Sequence, residues 1–198
     1  MSAADPGSRR RVFDDLHRKT EDPWDFATSP YEIDKRAATI AALPDRKFPA
    51  ILEIGCSTGY LSQALSRKGD HVLALDVSAV AVARATARVG DGLPICFRQA
   101  ELPEDWPPGA FDLIVFSEVL YFMTVEEIHR CAELAHNSLT SDGICVLVNW
   151  TGQTDLPITG RKAASIFLAS KLWQCKLEQH EDNYLLHLLI ALKPDRRS

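Results

Sequence analysis

The sequence predicts an α/β fold in which a doubly wound, mostly parallel sheet of seven strands ends in an antiparallel hairpin. After residue 49, five short apolar runs alternate with helical patterns, which is typical of a parallel sheet with helices on both faces. The last two extended segments, 174–180 and 184–192, are joined by residues 181–183 alone, too few for a parallel crossover. Such a sheet is Rossmann-like, with its ligand crevice at the carboxyl ends of the strands.

The N-terminal region is predicted to be a polar tail of residues 1–20 that contains a short helix over residues 12–19. One domain is expected to follow over residues 21–198. Serine caps helix N-termini and proline is favoured in the first turn, so the serine–proline pair at residues 29–30 predicts a helix that runs to about residue 43.

The remaining elements follow from apolar runs of strand length and from apolar positions at helical spacing. The predicted parallel strands cover residues 50–54, 71–75, 95–98, 111–116 and 144–150. The predicted helices cover residues 60–68, 79–88, 125–139 and 161–172. Gly69 is expected to close the first of these helices, because glycine is the common residue just past a helix end.

Composition indicates an ordinary globular protein with a small-molecule partner. The 198 residues suffice for one full core, with 46% apolar and 25% charged residues. The net charge is −5, and no basic stripe of the kind that binds nucleic acid is present. There is neither a signal-peptide pattern nor an apolar run of the ~18 residues that a membrane span needs, so a cytoplasmic protein without membrane partners is expected. The five cysteines show no CxxC spacing, and no metal site is predicted.

A glycine-rich segment, Glu-Ile-Gly-Cys-Ser-Thr-Gly at residues 53–59, lies between the first parallel strand and a helix. Gly55 and Gly59 allow the backbone to turn sharply and to approach a ligand without an intervening Cβ. The segment indicates a ligand-binding turn, although an ordinary strand–helix turn and the turn of an NAD enzyme share the pattern.

Asp76 ends the second parallel strand. An acid at this point can accept hydrogen bonds from both ribose hydroxyls of a bound nucleoside. The alternative is a cap for the helix that begins near Ser78. The residue therefore indicates a nucleoside ligand without identifying it.

Three features favour S-adenosylmethionine over NAD as that ligand. Ser57 stands where a dinucleotide fingerprint has the glycine that admits the pyrophosphate. Glu53 offers an acceptor to the cationic methionyl amine, and the chain length leaves no room for a separate substrate domain. The candidate Tyr121 also lacks the lysine that short NAD-dependent oxidoreductases carry four positions after their tyrosine, since Val125 stands there.

The pattern Glu-x-Gly-x-x-x-Gly, then Asp76, then Phe-Asp-Leu-Ile at residues 111–114 resembles class I S-adenosylmethionine-dependent methyltransferases. The resemblance implies S-adenosylmethionine as the cofactor. It also implies which residues contact the cofactor. The turn residues Glu53, Gly55, Cys56, Ser57 and Gly59 would contact the methionyl part. Asp76 and Val77 would contact the ribose, and Glu101 and Leu102 the adenine.

Segments far apart in the chain narrow the resemblance to the nodulation protein S (NodS) family. They are Asp-Pro-Trp at 22–24, Tyr-Glu at 31–32 with Lys-Arg at 35–36, Leu-Pro-x-x-Trp-Pro at 102–107, Phe-Asp-Leu-Ile-Val at 111–115, and Ser-Glu-Val-Leu-Tyr-Phe at 117–122. The likeness covers about residues 22–160, and it implies an N-methyltransferase acting on a de-N-acetylated chitooligosaccharide. Where relatives have His-Trp-Arg, this chain has Asn-Trp-Thr at 149–151, a difference that concerns the acceptor rather than the cofactor.

Candidate catalytic residues follow the fourth parallel strand, at the rim where the transferred methyl group is expected. Ser117 would border the cofactor, and Glu118 would accept a proton from a substrate amine or orient it. Tyr121 would border the sulfonium or the acceptor. A helix-capping carboxylate and a packed aromatic ring are the respective alternatives for Glu118 and Tyr121.

Residues N-terminal to the sheet are also expected at the site. Trp24 is predicted to fold over the cofactor, with packing in the core as the alternative. Lys35 or Arg36 is predicted to bind the methionyl carboxylate, unless both lie on a solvated helix face.

Together these features predict transfer of a methyl group from S-adenosylmethionine to a small-molecule acceptor, with an amine of a sugar or oligosaccharide as the preferred acceptor. O-methylation of a small metabolite and a noncatalytic S-adenosylmethionine-binding module are the alternatives. A monomer or a weak homodimer without a nucleic-acid partner is expected.

Overall fold

A seven-stranded mixed sheet forms the centre of the protein in the computed structural model, which describes residues 8–192. Residues 1–7 of the predicted tail and residues 193–198 lie outside the described part. The strands are β1 (Phe48–Ile54), β2 (Gly69–Asp76), β3 (Ile95–Gln99), β4 (Phe111–Ser117), β5 (Leu139–Trp150), β6 (Trp173–His180) and β7 (Tyr184–Ala191). The helices are α1 (Arg9–Lys19), α2 (Pro30–Ala41), α3 (Tyr60–Leu65), α4 (Ala79–Val89), α5 (Val125–Ser138) and α6 (Gly160–Leu168), with a 3₁₀ turn at Leu120–Phe122.

The strand order is β3-β2-β1-β4-β5-β7-β6. Strands β1 to β5 are mutually parallel, and β7 lies antiparallel between β5 and β6. This arrangement confirms the predicted Rossmann-like fold with its C-terminal antiparallel hairpin. Because the chain runs from β1 to β2 and β3 and then places β4 on the other side of β1, the strand order reverses between β1 and β4. A crevice for a ligand opens at such a reversal.

The helix predicted over residues 60–68 is shorter than expected, because it ends at Leu65. Gly69 begins β2 instead of closing the helix. A Cβ on this glycine would lie 2.5 Å from Cδ1 of Ile51, so its absence allows the first residue of β2 to pack closely against β1.

Two elements begin three or more residues earlier than the sequence predicts. Helix α1 begins at Arg9 rather than at residue 12. Strand β5 begins at Leu139 rather than at residue 144, because Leu139 pairs with Phe111 of β4 before a shift in register.

Both faces of the sheet are buried. In β4, Leu113 and Val115 enter a cluster with apolar residues of α2 and α3, whereas Ile114 and Phe116 enter a second cluster with residues of α5 and α6. Parallel strands covered on both faces are apolar along their length, so their polar residues collect at the strand ends. None of the helices between residues 8 and 192 combines the length and the apolar character needed to cross a bilayer.

Candidate active site

A cavity of about 570 Å³ opens at the carboxyl ends of β1 to β5, beneath α1, α2 and the segment that joins them. The predicted site residues that line it are Trp24, Lys35, Arg36, Glu53, Gly55, Cys56, Ser57, Asp76, Val77, Glu101, Leu102, Ser117, Glu118 and Tyr121. Gly59, which is also predicted to bind the cofactor, is not among the residues that line the cavity. A Cβ there would meet Phe97 and Ala85, so this glycine serves the packing of the turn against β3 and α4.

The turn after β1 requires glycine at position 55. Gly55 has φ +85°, and a Cβ would lie 2.7 Å from the carbonyl oxygen of Ser117 and would overlap the side chain of Val119. The backbone nitrogens of Gly55 and Cys56 donate to the carbonyl oxygen of Leu75, at 2.8 and 2.9 Å. The turn is thereby held between β2 and β4, with its backbone facing the cavity.

Glu53 is a buried carboxylate at the end of β1, and neither of its oxygens forms a hydrogen bond of normal length among residues 8–192, although the hydroxyl of Ser62 lies close by. Burial raises its pKa to about 7; the Ser62 hydroxyl opposes this rise, and the nearby Asp76 carboxylate adds to it. Buried polar groups are normally paired, and an unpaired buried charge is costly. The arrangement therefore fits a ligand that brings a cationic donor, such as an ammonium group.

Asp76 orders the turn and faces the cavity. Its carboxylate accepts hydrogen bonds from the backbone nitrogens of Ser57 (2.8 Å) and Ser78 (2.9 Å), while burial raises its pKa to about 6. The hydroxyl of Ser78, not Asp76, caps α4 by accepting from the nitrogen of Ala81. A carboxylate has about four acceptor sites, so roughly two of those on Asp76 remain for a ligand.

Helix α1 forms part of the roof, a role that the sequence prediction did not give it. The guanidinium of Arg9 donates to the carbonyl oxygen of Phe122 (3.1 Å) and to Glu127 (2.7 Å), and it lies 3.6 Å from Glu101. At the next turn of α1, Asp14 accepts a hydrogen bond from the hydroxyl of Ser78 (2.7 Å). These contacts attach α1 to both sides of the crevice.

Aromatic side chains of the N-terminal segment cover the middle of the cavity. The Trp24 ring is 37% exposed, and its centroid lies 5.5 Å from that of His17, 5.7 Å from that of Phe26 and 6.4 Å from that of Phe13. Phe13 and His17 also line the cavity but were not predicted from the sequence. The signal of this role is the helical spacing of Val12, Phe13 and Leu16 within an otherwise polar segment.

At the other end of the cavity, Glu118 is the centre of a hydrogen-bonded cluster. Its Oε1 accepts from Lys35 Nζ at 2.8 Å, and its Oε2 accepts from the Tyr121 hydroxyl at 2.7 Å and from the Trp150 backbone nitrogen at 2.6 Å. The residue has φ +58°, an uncommon backbone conformation that directs a local turn just after β4. Lys35 also donates to Glu32 at 2.9 Å.

The two predicted candidates for the methionyl carboxylate differ in their surroundings. Lys35 is buried between Glu32 and Glu118 and is neutralised by them. Arg36 lines the cavity, donates to the carbonyl oxygen of Phe26 (3.3 Å) and lies 5.4 Å from the ring centroid of Tyr60. Arg36 is therefore the better placed of the two for an anionic group.

Replacing Gly55 by alanine should lower the free energy of unfolding and disrupt the cavity. We expect a loss of about 1–3 kcal/mol from the positive φ, together with a steric cost of similar size. Thermal unfolding measures this loss. Gly92→Ala is the matched control, because a Cβ there meets nothing within 4 Å; equal effects of the two substitutions would contradict the assigned role of Gly55.

The free energy of unfolding of the unliganded protein should depend on pH because of Glu53. Its pKa is raised from 4.5 to about 7 on folding, so the folded state holds the extra proton and stability falls as the pH rises through this interval, by up to about 3 kcal/mol. Denaturant unfolding of the wild type and Glu53→Gln between pH 4.5 and 8 tests this. The difference in free energy of unfolding between the wild type and Glu53→Gln should change with pH up to about 7 and then level off. The difference between the wild type and Glu126→Gln, a substitution at an exposed site, should not depend on pH in this way.

Comparison with known proteins places these features in a family. The family model "Nodulation protein S (NodS)" matches residues 9–150. Nodulation protein S of Sinorhizobium fredii is 28% identical over 125 residues, which cover 62% of this chain and 57% of the relative. Nodulation protein S of Azorhizobium caulinodans is 31% identical over 134 residues, which cover 65% of this chain and 64% of the relative. The chain thus spans about three fifths of the length of these curated relatives.

Solved structures of other proteins have the same fold. A crystal structure of a putative methyltransferase from Pseudomonas syringae has a TM-score of 0.70 and 35% identity, and covers 80% of this chain and 97% of its own. The crystal structure of the N-methyltransferase NodS from Bradyrhizobium japonicum, in complex with S-adenosyl-L-homocysteine, has a TM-score of 0.80 at 19% identity. The match covers 92% of this chain and 99% of the NodS chain. Since the family model spans the described part of the chain from α1 to the end of β5, this chain belongs to the nodulation protein S family.

Proposed function

We propose that this protein transfers a methyl group from S-adenosylmethionine to an amine of a small molecule. The observation that carries the proposal is a row of carboxylates along one edge of the sheet. Glu101, Asp76, Glu53 and Glu118 lie at the ends of β3, β2, β1 and β4, which are consecutive in the sheet. Neighbouring strands are ~4.8 Å apart, so the row is roughly 15 Å long.

The residues present fit S-adenosylmethionine. The unpaired carboxylate of Glu53 suits the methionyl ammonium, and the free acceptor sites of Asp76 suit the ribose hydroxyls. Glu101 and the buried Leu102 would hold the adenine, with Val77 beside the ribose and Arg36 toward the methionyl carboxylate. The lack of a Cβ at Gly55 leaves the backbone open to the ligand.

S-adenosylmethionine supplies an activated methyl group and a neutral thioether leaving group. The protein has to align the acceptor with the methyl carbon and to exclude water, and alignment of this kind is worth ~7–11 kcal/mol in intramolecular reactions. The roof of α1 and Trp24 covers the cavity, and Ser117 and Tyr121 border the space between Glu53 and Glu118. These residues orient the two substrates.

The acceptor end of the cavity favours an amine. Two carboxylates, Glu32 and Glu118, surround one ammonium, Lys35, so the cluster carries one net negative charge when all three are ionised. Tyr31 and Trp150 lie beside it with ring centroids 5.4 Å apart. A cationic amine complements this charge better than a neutral hydroxyl, and the family likeness supports an amine carried on a sugar or oligosaccharide. A noncatalytic module that binds S-adenosylmethionine is the second candidate.

The nucleoside site is tested by calorimetry with S-adenosylhomocysteine. Asp76→Asn should weaken binding about 10- to 100-fold, because an amide offers fewer acceptors and its NH₂ group opposes the backbone donors. Asp70→Asn, at the exposed start of β2, should bind like the wild type. Tighter binding of NAD than of S-adenosylhomocysteine would refute the proposed cofactor.

The acceptor is tested by mass spectrometry after incubation with S-adenosylmethionine. A chitooligosaccharide lacking its N-acetyl groups should gain methyl groups, because its amines can be neutral nucleophiles, and the N-acetylated oligomer should gain none. Methylation of the acetylated oligomer would indicate O-methylation. Binding of S-adenosylhomocysteine without transfer to either oligomer would favour the noncatalytic module.

A further inference from the structure

Two carboxylates reach the acceptor end of the cavity, and their surroundings differ. Glu118 accepts three hydrogen bonds, from Lys35, Tyr121 and the backbone of Trp150, out of about four that a carboxylate can accept. One donor is the charged ammonium of Lys35, and only about one acceptor site is left. A carboxylate held in this way positions its neighbours but has little capacity left to contact a substrate.

Glu32 lies on the opposite side of Lys35 and has far fewer partners. Among the described residues its carboxylate accepts from Lys35 alone, at 2.9 Å through Oε1, which leaves Oε2 without a donor. Its side chain is 10% exposed and lines the cavity. Oε2 is therefore available to a group bound in the cavity.

The groups around Glu32 have opposing effects on its proton affinity. Burial is the largest influence and raises its pKa, and Glu118 adds to the rise, whereas Lys35 and Arg36 lower it. The titratable groups that face Glu32 from α2, from the end of β4 and from the 3₁₀ turn are Tyr31, Lys35, Arg36, Glu118 and Tyr121. The net result is a carboxylate that is more basic than usual.

We propose that Glu32 accepts the proton of the substrate ammonium and that Glu118 is a positioning residue. This inference rests on the proposed methylation of an amine. One N–H bond of the substrate ammonium breaks, the proton moves to Oε2 of Glu32, and the nitrogen keeps the electron pair. That pair forms the bond to the methyl carbon while the carbon–sulfur bond breaks and its electrons pass to sulfur. Glu32 then releases its proton to water.

The test compares Glu32→Gln with the wild type in turnover of the deacetylated oligomer. The wild-type kcat should rise with pH as Glu32 ionises. At neutral pH, Glu32→Gln should lose about 100-fold in kcat, because general base catalysis contributes 10²–10⁴-fold. Activity should recover as the pH passes the pKa of the substrate amine in solution, and Glu32→Asp should restore part of it at neutral pH.

Binding provides a readout that does not depend on turnover. In the complex with S-adenosylhomocysteine, Glu32→Gln should weaken binding of the deacetylated oligomer about tenfold at neutral pH, because a charge-assisted hydrogen bond is lost. Binding of the N-acetylated oligomer should not change. Asp34→Asn, on the exposed side of the same helix, is the matched control and should behave as the wild type.

Glu118→Gln distinguishes the two roles. It should raise KM and lower kcat at every pH without recovery in alkali, because the amide offers one acceptor oxygen where Glu118 offers two to Lys35, Tyr121 and the Trp150 backbone. The assignment of Glu32 as the proton acceptor would be overturned if kcat of Glu32→Gln followed the wild-type pH profile. It would also be overturned if kcat of Glu118→Gln, rather than that of Glu32→Gln, recovered at alkaline pH. Neither result would contradict methyl transfer itself. Failure of the wild type to methylate any amine would refute the proposed function itself, and this inference with it.

Discussion

The close contact between the turn after β1 and the end of β4 is the constraint on which the site depends. Gly55 lies directly against the carbonyl of Ser117, so the two strands remain paired up to the point where their loops diverge. Glu53 and Glu118, on either side of this contact, therefore face one cavity. A bulkier residue at the turn would separate the nucleoside end of the cavity from its acceptor end.

The fold and the residues that line the proposed nucleoside end of the cavity could be predicted from the sequence because their determinants are local. Strand–helix alternation determines which chain segments end at the same edge of the sheet, and a glycine-rich turn and Asp76 each follow directly from a strand. The topology then brings together residues that are distant in sequence, including Glu101 after β3. The role of Gly59 in binding the cofactor stays a prediction, since a glycine that serves packing and one that serves a ligand look alike in a sequence.

The roof and the acceptor end could not be predicted because their determinants are tertiary. Helix α1 is rich in charged residues and has the composition of a solvated tail, yet Arg9 pairs with Glu127, 118 residues away. Lys35 similarly looked available for an anionic ligand, but it is neutralised in part by Glu118, 83 residues away. Charge alone does not reveal whether a side chain already has a partner in the folded protein.

The hydrogen bond from position 150 to Glu118 comes from the main chain and not from the indole. Every amino acid except proline carries that donor. The loop that follows β5 is thus free to change its side chains, and with them the shape presented to an acceptor, without disturbing the carboxylate beneath it. The side chain at position 150 can therefore change with the substrate while the backbone N–H of the same residue continues to hold Glu118.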